Sequence, residues 1–386
     1  MRTLLLSVGP MLLVGMAYGL WRLSATDEET ASALETCSTD DFLIGAPVTH
    51  NNLTIFPVVS RDLLNDDSYI TLDEGLASGQ VTVSEVGGGP VTARGVGAAP
   101  SGNVNRLVVK NTSSRPLYLM PGEIIVGGKQ DRTLAESRVI LGDGKPVEVP
   151  VFCVEHGRWR SRAPVEMASL ASSFSAVKDH DKVEALCKKS EMGEMAFSGN
   201  TLNKAARSTV NEGTNQSEVW RQVGVANAKS GNDSASAAFT ENYSKPNVQA
   251  QFEPYVAALE SSVAGTDRIV GVVVAVNGRI EMSDVFGSTP LFRKLWPKLL
   301  KSYALDAATN TSSETKSCTA DEARAFFEQA RVAAVKTTTD HGNVQVTART
   351  SDGVSSFCAS ACPKPTDSAA PASPPSSSIH TAAFAK

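Results

Sequence analysis

Two short segments of this chain are denser in reactive side chains than their surroundings. Residues 121–132 read PGEIIVGGKQDR, an apolar run entering a double glycine and then four polar residues. Paired glycines, Gly127 and Gly128, can turn successive backbone N–H groups into one concavity. Lys129 and Arg132 beside it would favour an anion such as a phosphate or a carboxylate, with Gln130 alongside and Asp131 placed to orient Arg132. The bend is not a Walker loop, because GxxxxGK[ST] and its helix are missing. Its plainer reading is a hairpin turn whose charges face water. Residues 153–159 read CVEHGRW and end an apolar alternating run. A glutamate leaving an apolar face loses solvation, so Glu155 is expected to have a raised pKa suited to general acid or base work near neutral pH. Arg158 can clamp an anionic oxygen and Trp159 can stack on a ring. The structural alternative makes Glu155 and Arg158 an ion pair capping the sheet, with Trp159 in the core.

Other candidates are weaker. Cys153 and His156 suggest a thiol nucleophile, but residues three apart on a strand end point to opposite faces, so Cys153 reads as a buried thiol or half of a disulfide. His50 and His156 lie in no HxH or HExxH pattern, so no metal site and no cofactor is expected. Asp284 and Ser288 read as helix entry and capping. Arg207 and Arg221 read as helix-surface charges.

The elements that would hold these residues follow from periodicity. A short helix over Leu72–Ala77 closes at Gly79, and a strand carries Val81, Val83 and Val86. From Val104, short strands separated by Gly, Pro, Asn and Asp indicate a β-sandwich or small barrel. In the last of them, Val147, Val149, Val151, Cys153 and Glu155 share one face. Both faces look apolar, so the strand is expected to be covered on both sides, with Glu155 half-desolvated at its mouth. From Ala163 to about Thr240 the pattern is helical and polar. Val248, Phe252, Tyr255, Val256, Leu259 and Val263 form a helical stripe. Asn277–Gly278 between apolar runs predicts a type I′ hairpin. Leu291, Phe292, Leu295, Trp296, Leu299, Leu300 and Tyr303 mark a buried helix that Pro297 should kink or break. Thr319 and Glu322 form a capping box, and a hairpin over NVQVTART and VSSFCAS closes the fold.

These elements sum to an α+β fold: an antiparallel β-sandwich or barrel-like N-terminal unit packed with helices and a second small antiparallel sheet. Residues 1–25 carry an uncharged stretch from Leu4 to Trp21 after Arg2, which reads as a signal peptide or an N-terminal membrane anchor. Either places the body outside the cytoplasm, periplasmic or extracellular. Residues 26–47 read as an acidic linker, 48–160 as the β-rich domain and 161–362 as the helical α+β part. Residues 363–386, rich in Pro, Ser and Ala, read as a disordered tail in which His380 has no role. An exported chain permits disulfides among its six cysteines, and Cys318 is expected to pair with Cys358 or Cys362. With 36 Lys+Arg against 41 Asp+Glu and no basic block, the chain lacks the footprint of a nucleic-acid binder. Any membrane contact is confined to residues 4–21, and the oligomeric state is left open.

Blocks in order along the chain, NLTIFPV, YITLDEGLASGQVTVSEV, NRLVVKN, PLYLMPGEIIVGGKQDR, VEVPVFCVEHGRW, SEVWRQV and DVFGSTPLFRKLWPKLLKSYA, resemble the ADP-ribosylglycohydrolase-and-rhodanese-phosphatase-associated protein domain. The resemblance covers about residues 48–350 and is most specific at GGKQDR and CVEHGRW. It implies a role near ADP-ribose or NAD metabolism and supplies no proven catalytic residue. The matching positions are Glu123, Lys129, Gln130, Asp131 and Arg132, with Cys153, Glu155, Gly157, Arg158 and Trp159.

Two functions are therefore expected. One is an exported binding or scaffold module whose two motifs brace the sheet, with a pocket for a small anionic ligand. The other is a hydrolase-like enzyme, or a binder, acting on a ribose-phosphate compound. There Lys129, Arg132 and the glycine amides hold the anion, Arg158 clamps, Trp159 stacks and Glu155 moves the proton. The enzyme reading requires the two motifs to converge; a gap of more than about 15 Å would leave no small ligand able to touch both.

Overall fold

The computed structural model describes residues 38–39, 41–86, 105–158, 160, 162–173, 180–233, 235–312, 316–362 and 378–386. In chain order the strands are β1 (Ser38–Thr39), β2 (Phe42–Ile44), β3 (Val48–His50), β4 (Leu53–Ser60), β5 (Ile70–Thr71), β6 (Val81–Glu85), β7 (Arg106–Asn111), β8 (Leu117–Leu119), β9 (Glu123–Gly127) and β10 (Arg132–Leu134). They continue as β11 (Arg138–Ile140), β12 (Pro146–Cys153), β13 (Met195–Thr201), β14 (Ile269–Val276), β15 (Arg279–Phe286), β16 (Ala334–Asp340), β17 (Val344–Thr350), β18 (Val354–Ala361) and β19 (Ser378–Ala385). The helices are α1 (Leu72–Ser78), α2 (Pro164–Ser173), α3 (His180–Glu191), α4 (Lys204–Asn211), α5 (Gln216–Ser230), α6 (Pro246–Leu259), α7 (Thr289–Thr309) and α8 (Ala320–Val332). The fold is α+β.

The largest sheet runs β1-β2-β4-β14-β15-β19-β18-β17-β16, with β3 also on β4. A second runs β13-β9-β10-β12-β7-β6, and it curls until its outer strands meet. Ser84 bridges Glu194, and the Glu85 N–H donates to the Gly193 carbonyl at 2.9 Å. This barrel-like sheet encloses Val81, Val83, Val109, Ile125, Leu134, Val149 and Val151. A small third sheet, β11-β8-β5, includes the parallel pair β5–β8. Strands from either side of residue 160 pair directly: β4 with β14, and β9 with β13.

Local signals account for most of these elements. Thr71 and Glu74 form a capping box at α1, which ends at Gly79 in the left-handed conformation. Thr319 and Glu322 do the same at α8. In the β14–β15 hairpin Val276 faces Arg279, and Asn277 and Gly278 both have positive φ, 52° and 68°, as a type I′ turn requires. The α7 stripe is buried from Leu291 to Tyr303. Pro297 neither breaks nor ends that helix, which runs on to Thr309. The proline and Arg293, whose carbonyl loses its usual intrahelical donor, both lie on the exposed face.

Four expectations need correction. β12 is covered on both faces only toward its end: Val149, Val151 and Cys153 are buried on one face, while on the other Glu148 is exposed, Pro150 is half-buried and Phe152 packs against the main core. The polar stretch after Ala163 contains β13, whose sequence MAFSGNT hides the alternation because its register on β9 slips twice. Phe42–Ile44, assigned to a linker, pairs with β4. The end of the presumed disordered tail is β19, which lies between β15 and β18. Its composition is poor in large apolar groups, but Ile379, Ala382, Ala383 and Phe384 all find buried places in a sheet already built around them. Residues 1–25 and 363–377 fall outside the described residues. Of the cysteines, Cys153, Cys187, Cys318, Cys358 and Cys362 are free thiols in the structure.

Candidate functional site

The two motifs meet because of strand register. β10 and β12 are antiparallel neighbours with Arg132 opposite Cys153. Continuing that register past the strand ends sets Asp131 beside Val154, whose N–H donates to the Asp131 carbonyl at 3.1 Å. One residue further, the Gln130 amide donates to the Glu155 carbonyl at 2.9 Å, and Gln130 also accepts from the Cys153 thiol at 3.2 Å. Two dozen residues of sequence separation thus collapse into direct hydrogen bonds.

The glycine bend receives an anion that the chain itself supplies. Gly127 and Gly128 have φ of 138° and 55°, and a Cβ on Gly128 would lie 2.8 Å from the Glu85 carboxylate. That carboxylate accepts from the Lys129 N–H at 3.0 Å and stands 3.9 Å from the Arg132 guanidinium. The expected concavity therefore exists and is filled from β6. The Lys129 side chain makes no ion pair or hydrogen bond among the described residues.

Beyond the bend lies a buried lattice of two acids and two arginines. Arg158 grips Glu155 with two hydrogen bonds, Nε to Oε1 at 2.8 Å and Nη2 to Oε2 at 2.7 Å. It also reaches Asp131 Oδ1 at 3.2 Å and the Gly128 carbonyl at 2.9 Å. Arg162 adds Asp131 Oδ2 at 2.5 Å and Glu155 Oε1 at 3.2 Å. The Asp131 N–H donates to Glu155 Oε2 at 3.0 Å, and the Thr240 hydroxyl to Asp131 Oδ2 at 2.7 Å. Each Glu155 oxygen thus accepts two donors. Two positive and two negative groups cancel, which is what lets them sit out of water. Glu155 is fully buried rather than half-desolvated at a mouth.

The two carboxyls are pushed apart in pKa. Burial raises Glu155, and the neighbouring Asp131 charge raises it further against the pull of both arginines. Burial also raises Asp131, but Arg162, Arg158 and the hydrogen bonds outweigh it and leave Asp131 below the ordinary aspartate range. Burial raises the Cys153 thiol as well, so it is no thiolate nucleophile. His156 packs edge-on against Trp220, ring centroids 4.5 Å apart, and has no part in a Cys–His pair.

One side of the lattice faces a cleft of about 850 Å³, floored by Glu155, Arg158 and Arg162. Its rim carries two exposed ion pairs, Arg160 with Glu166 and Lys245 with Asp233. A Cβ on Gly157 would lie 2.9 Å from the Ala235 carbonyl, so the glycine lets the motif lie against the cleft wall. Trp159, expected to stack on a ligand, lies outside the described residues.

Sequence reading missed Arg162, Thr240 and Glu85. Arginines at alternate positions 158, 160 and 162 were a usable signal for the first; Thr240 and Glu85 had none. It also missed two further buried charge groups. Arg207 is fully buried and pairs with both oxygens of Asp284 at 2.9 and 2.6 Å. Asp284 accepts from the Tyr303 hydroxyl at 2.5 Å and meets His380 Nε2 at 2.9 Å, while His380 Nδ1 meets the Tyr118 hydroxyl at 3.2 Å. Arg207 is thus no surface charge, Asp284 no helix entry and His380 no tail residue. Ser288 does cap α7, accepting from the Leu291 N–H at 3.2 Å. In the other group, Lys298 joins Glu123 at 2.5 Å and Asp73 at 2.7 Å. Glu123, one of the resemblance positions, therefore anchors α7 to β9.

No curated protein and no solved structure matches the chain. The description of the ARG and Rhodanese-Phosphatase-superfamily-associated Protein domain matches residues 41–362, from β2 through β18 and short of β19. Both polar motifs and all of the lattice lie inside that span, and the chain belongs to this family.

Proposed function

We propose that this protein is a binding module for a small anionic ligand, seated in the cleft floored by Glu155, Arg158 and Arg162. The observation that carries the reading is the meeting of GGKQDR and CVEHGRW in one lattice at the base of one cleft. The lattice holds the floor rigid, and the rim does the exchange. Exposed pairs such as Arg160–Glu166 and Lys245–Asp233 contribute little to stability, so a ligand phosphate or carboxylate can take over their cations at small cost. The resemblance directs attention to ADP-ribose, NAD and ribose phosphates as ligands. Residues 1–25 favour a module that works outside the cytoplasm.

A hydrolase reading has one feature in its favour: burial pushes Glu155 up while Arg162 and Arg158 hold Asp131 down, a pattern that separates an acid from a base. Against it, each Glu155 oxygen already accepts two donors, so Glu155 holds arginines and has no free lone pair for substrate.

Thermal denaturation of the full chain with ADP-ribose, NAD and ribose 5-phosphate tests the binding reading. A ligand at about 100 times its Kd stabilises by about 2.7 kcal/mol, a readily measured rise in Tm. Arg160→Glu should abolish the rise and leave the unliganded Tm unchanged. No rise with any of the three, or a rise that survives Arg160→Glu, refutes it. Turnover of ADP-ribose that is lost in Glu155→Gln would establish the hydrolase instead.

A further inference from the structure

A second cavity, of about 650 Å³, shares no residue with the motif cleft. It opens between the start of α4, the α5 surface, the end of α7 and the turn of the β14–β15 hairpin. Its volume suits a ligand of nucleotide size. Val274, Val276, Met282 and Tyr303 supply an apolar floor. Among the described residues, Lys204, Lys229, Arg279 and Lys316 stand around it with Glu281 and Asp306. The motif cleft, by contrast, sets Arg158, Arg160, Arg162 and Lys245 against Glu155, Glu166, Asp233 and Glu241 and so has no excess.

The charges of this cavity are only partly committed. Lys204 pairs with Glu281. Asp306 accepts from the Lys204 N–H at 2.7 Å and from the Asn203 amide at 3.0 Å, so it serves as the cap of α4. Among the described residues, Lys229 is bonded only to a neutral amide oxygen, that of Asn310, at 2.6 Å. Arg279 has no ion pair or side-chain hydrogen bond among the described residues. Asn203 lines the cavity, and its Oδ1 is buried and has no donor among the described residues. Leaving such an atom unsatisfied is costly unless a ligand or a water donates to it.

The walls are pinned in place. The Asn277 side chain is held by Asn52 at 3.0 Å and also donates to the Asn310 carbonyl. The chain at Lys316 crosses over the hairpin turn so closely that a Cβ on Gly278 would meet its carbonyl oxygen at 2.2 Å. Arg279 is therefore presented by a fixed turn, which lowers the ordering cost of binding.

We propose that this cavity is a second binding site, for an organic anion of nucleotide size. Its acidic group lies between Lys229 and Arg279, and its planar or apolar body rests on Val276 and Met282. The site is independent of the motif cleft and stands whether or not that cleft binds anything.

Isothermal titration of the full chain with AMP, adenosine, inorganic phosphate and indole-3-carboxylate tests it. AMP or the aryl carboxylate should bind, with adenosine and phosphate each at least tenfold weaker, because neither half alone fills both parts of the site. Arg279→Glu and Lys229→Glu should each weaken the bound anion about tenfold or more, whereas Arg160→Glu should leave it unchanged. Arg279→Gln and Lys229→Gln serve as milder variants, with denaturation midpoints confirming that the fold is retained. Failure of both anions to bind overturns the proposal. So does binding that is indifferent to Arg279 and Lys229. Binding lost only in Arg160→Glu also overturns it and supports the motif cleft instead.

Discussion

The final strand gives the sharpest prediction. By composition the last two dozen residues look unable to fold, and on that view replacing Phe384 with Ala would change nothing. In the structure Phe384 is 1 % exposed, lies with its ring 6.3 Å from that of Phe357, and carries the Arg207 guanidinium over its face at 5.8 Å. Truncating a buried phenylalanine to Ala costs about 3–5 kcal/mol, the sum of lost transfer energy and the cavity left behind. Loss of the cation–π contact adds about 0.5–2 kcal/mol. At a denaturant slope of about 3 kcal/mol per molar urea, a loss of 4 kcal/mol moves the midpoint down by about 1.3 M. Urea unfolding followed by tryptophan fluorescence reads this directly. Phe384→Leu, which keeps most of the volume, should lose less than half as much, and a chain ending at residue 377 should lose at least as much as Phe384→Ala. A midpoint shift below about 0.3 M for Phe384→Ala, within the error of such fits, would refute the placement of β19 and the burial argument with it.

Further outcomes follow from the buried charges and the glycine bend. Burial lowers the His380 pKa below its ordinary 6.5, so between the folded and unfolded values the unfolded chain binds more protons. Stability from this group is present above pH 6.5 and is lost as pH falls through that window; urea midpoints at pH 7.5 and 5 should show the loss, and His380→Asn should flatten it. Asp284 is held below the aspartate range because Arg207 and His380 outweigh its burial, so its contribution persists until pH falls below about 3.8. Arg162→Met leaves Asp131 and Glu155 with a single arginine and should cost about 3–5 kcal/mol in denaturation, while Arg221→Met, an exposed pair with Glu218, should leave the midpoint unchanged. Gly128→Ala forces a methyl into the Glu85 carboxylate at positive φ and should cost about 1–3 kcal/mol; an unchanged midpoint would mean that the bend does not hold Glu85.

The motifs were legible as polar islands, and their convergence was the condition set for any active role. What was misjudged was the partner of each charge. Arg132 and the Lys129 amide face Glu85, forty-odd positions upstream, and Arg158 shares its acids with Arg162. Arg207, polar and mid-helix, reads as solvent-facing because a helix surface normally carries such a residue; its burial depends on Asp284 arriving from β15 and Phe384 from β19. β13 escaped because two register slips on β9 erase its period-2 pattern.

Short-range chemistry was readable along the chain: the capping boxes at Thr71 and Thr319, the Asn277–Gly278 turn and the stripe from Leu291 to Tyr303 each depend on residues within a few positions of one another. Folding in three dimensions settled which distant charges neutralise one another and which weakly apolar segments are drawn into a sheet. Neither is encoded locally: a buried ion is tolerable only beside its counter-ion, and a strand such as β19 is stable only when neighbours on both sides complete its hydrogen bonds.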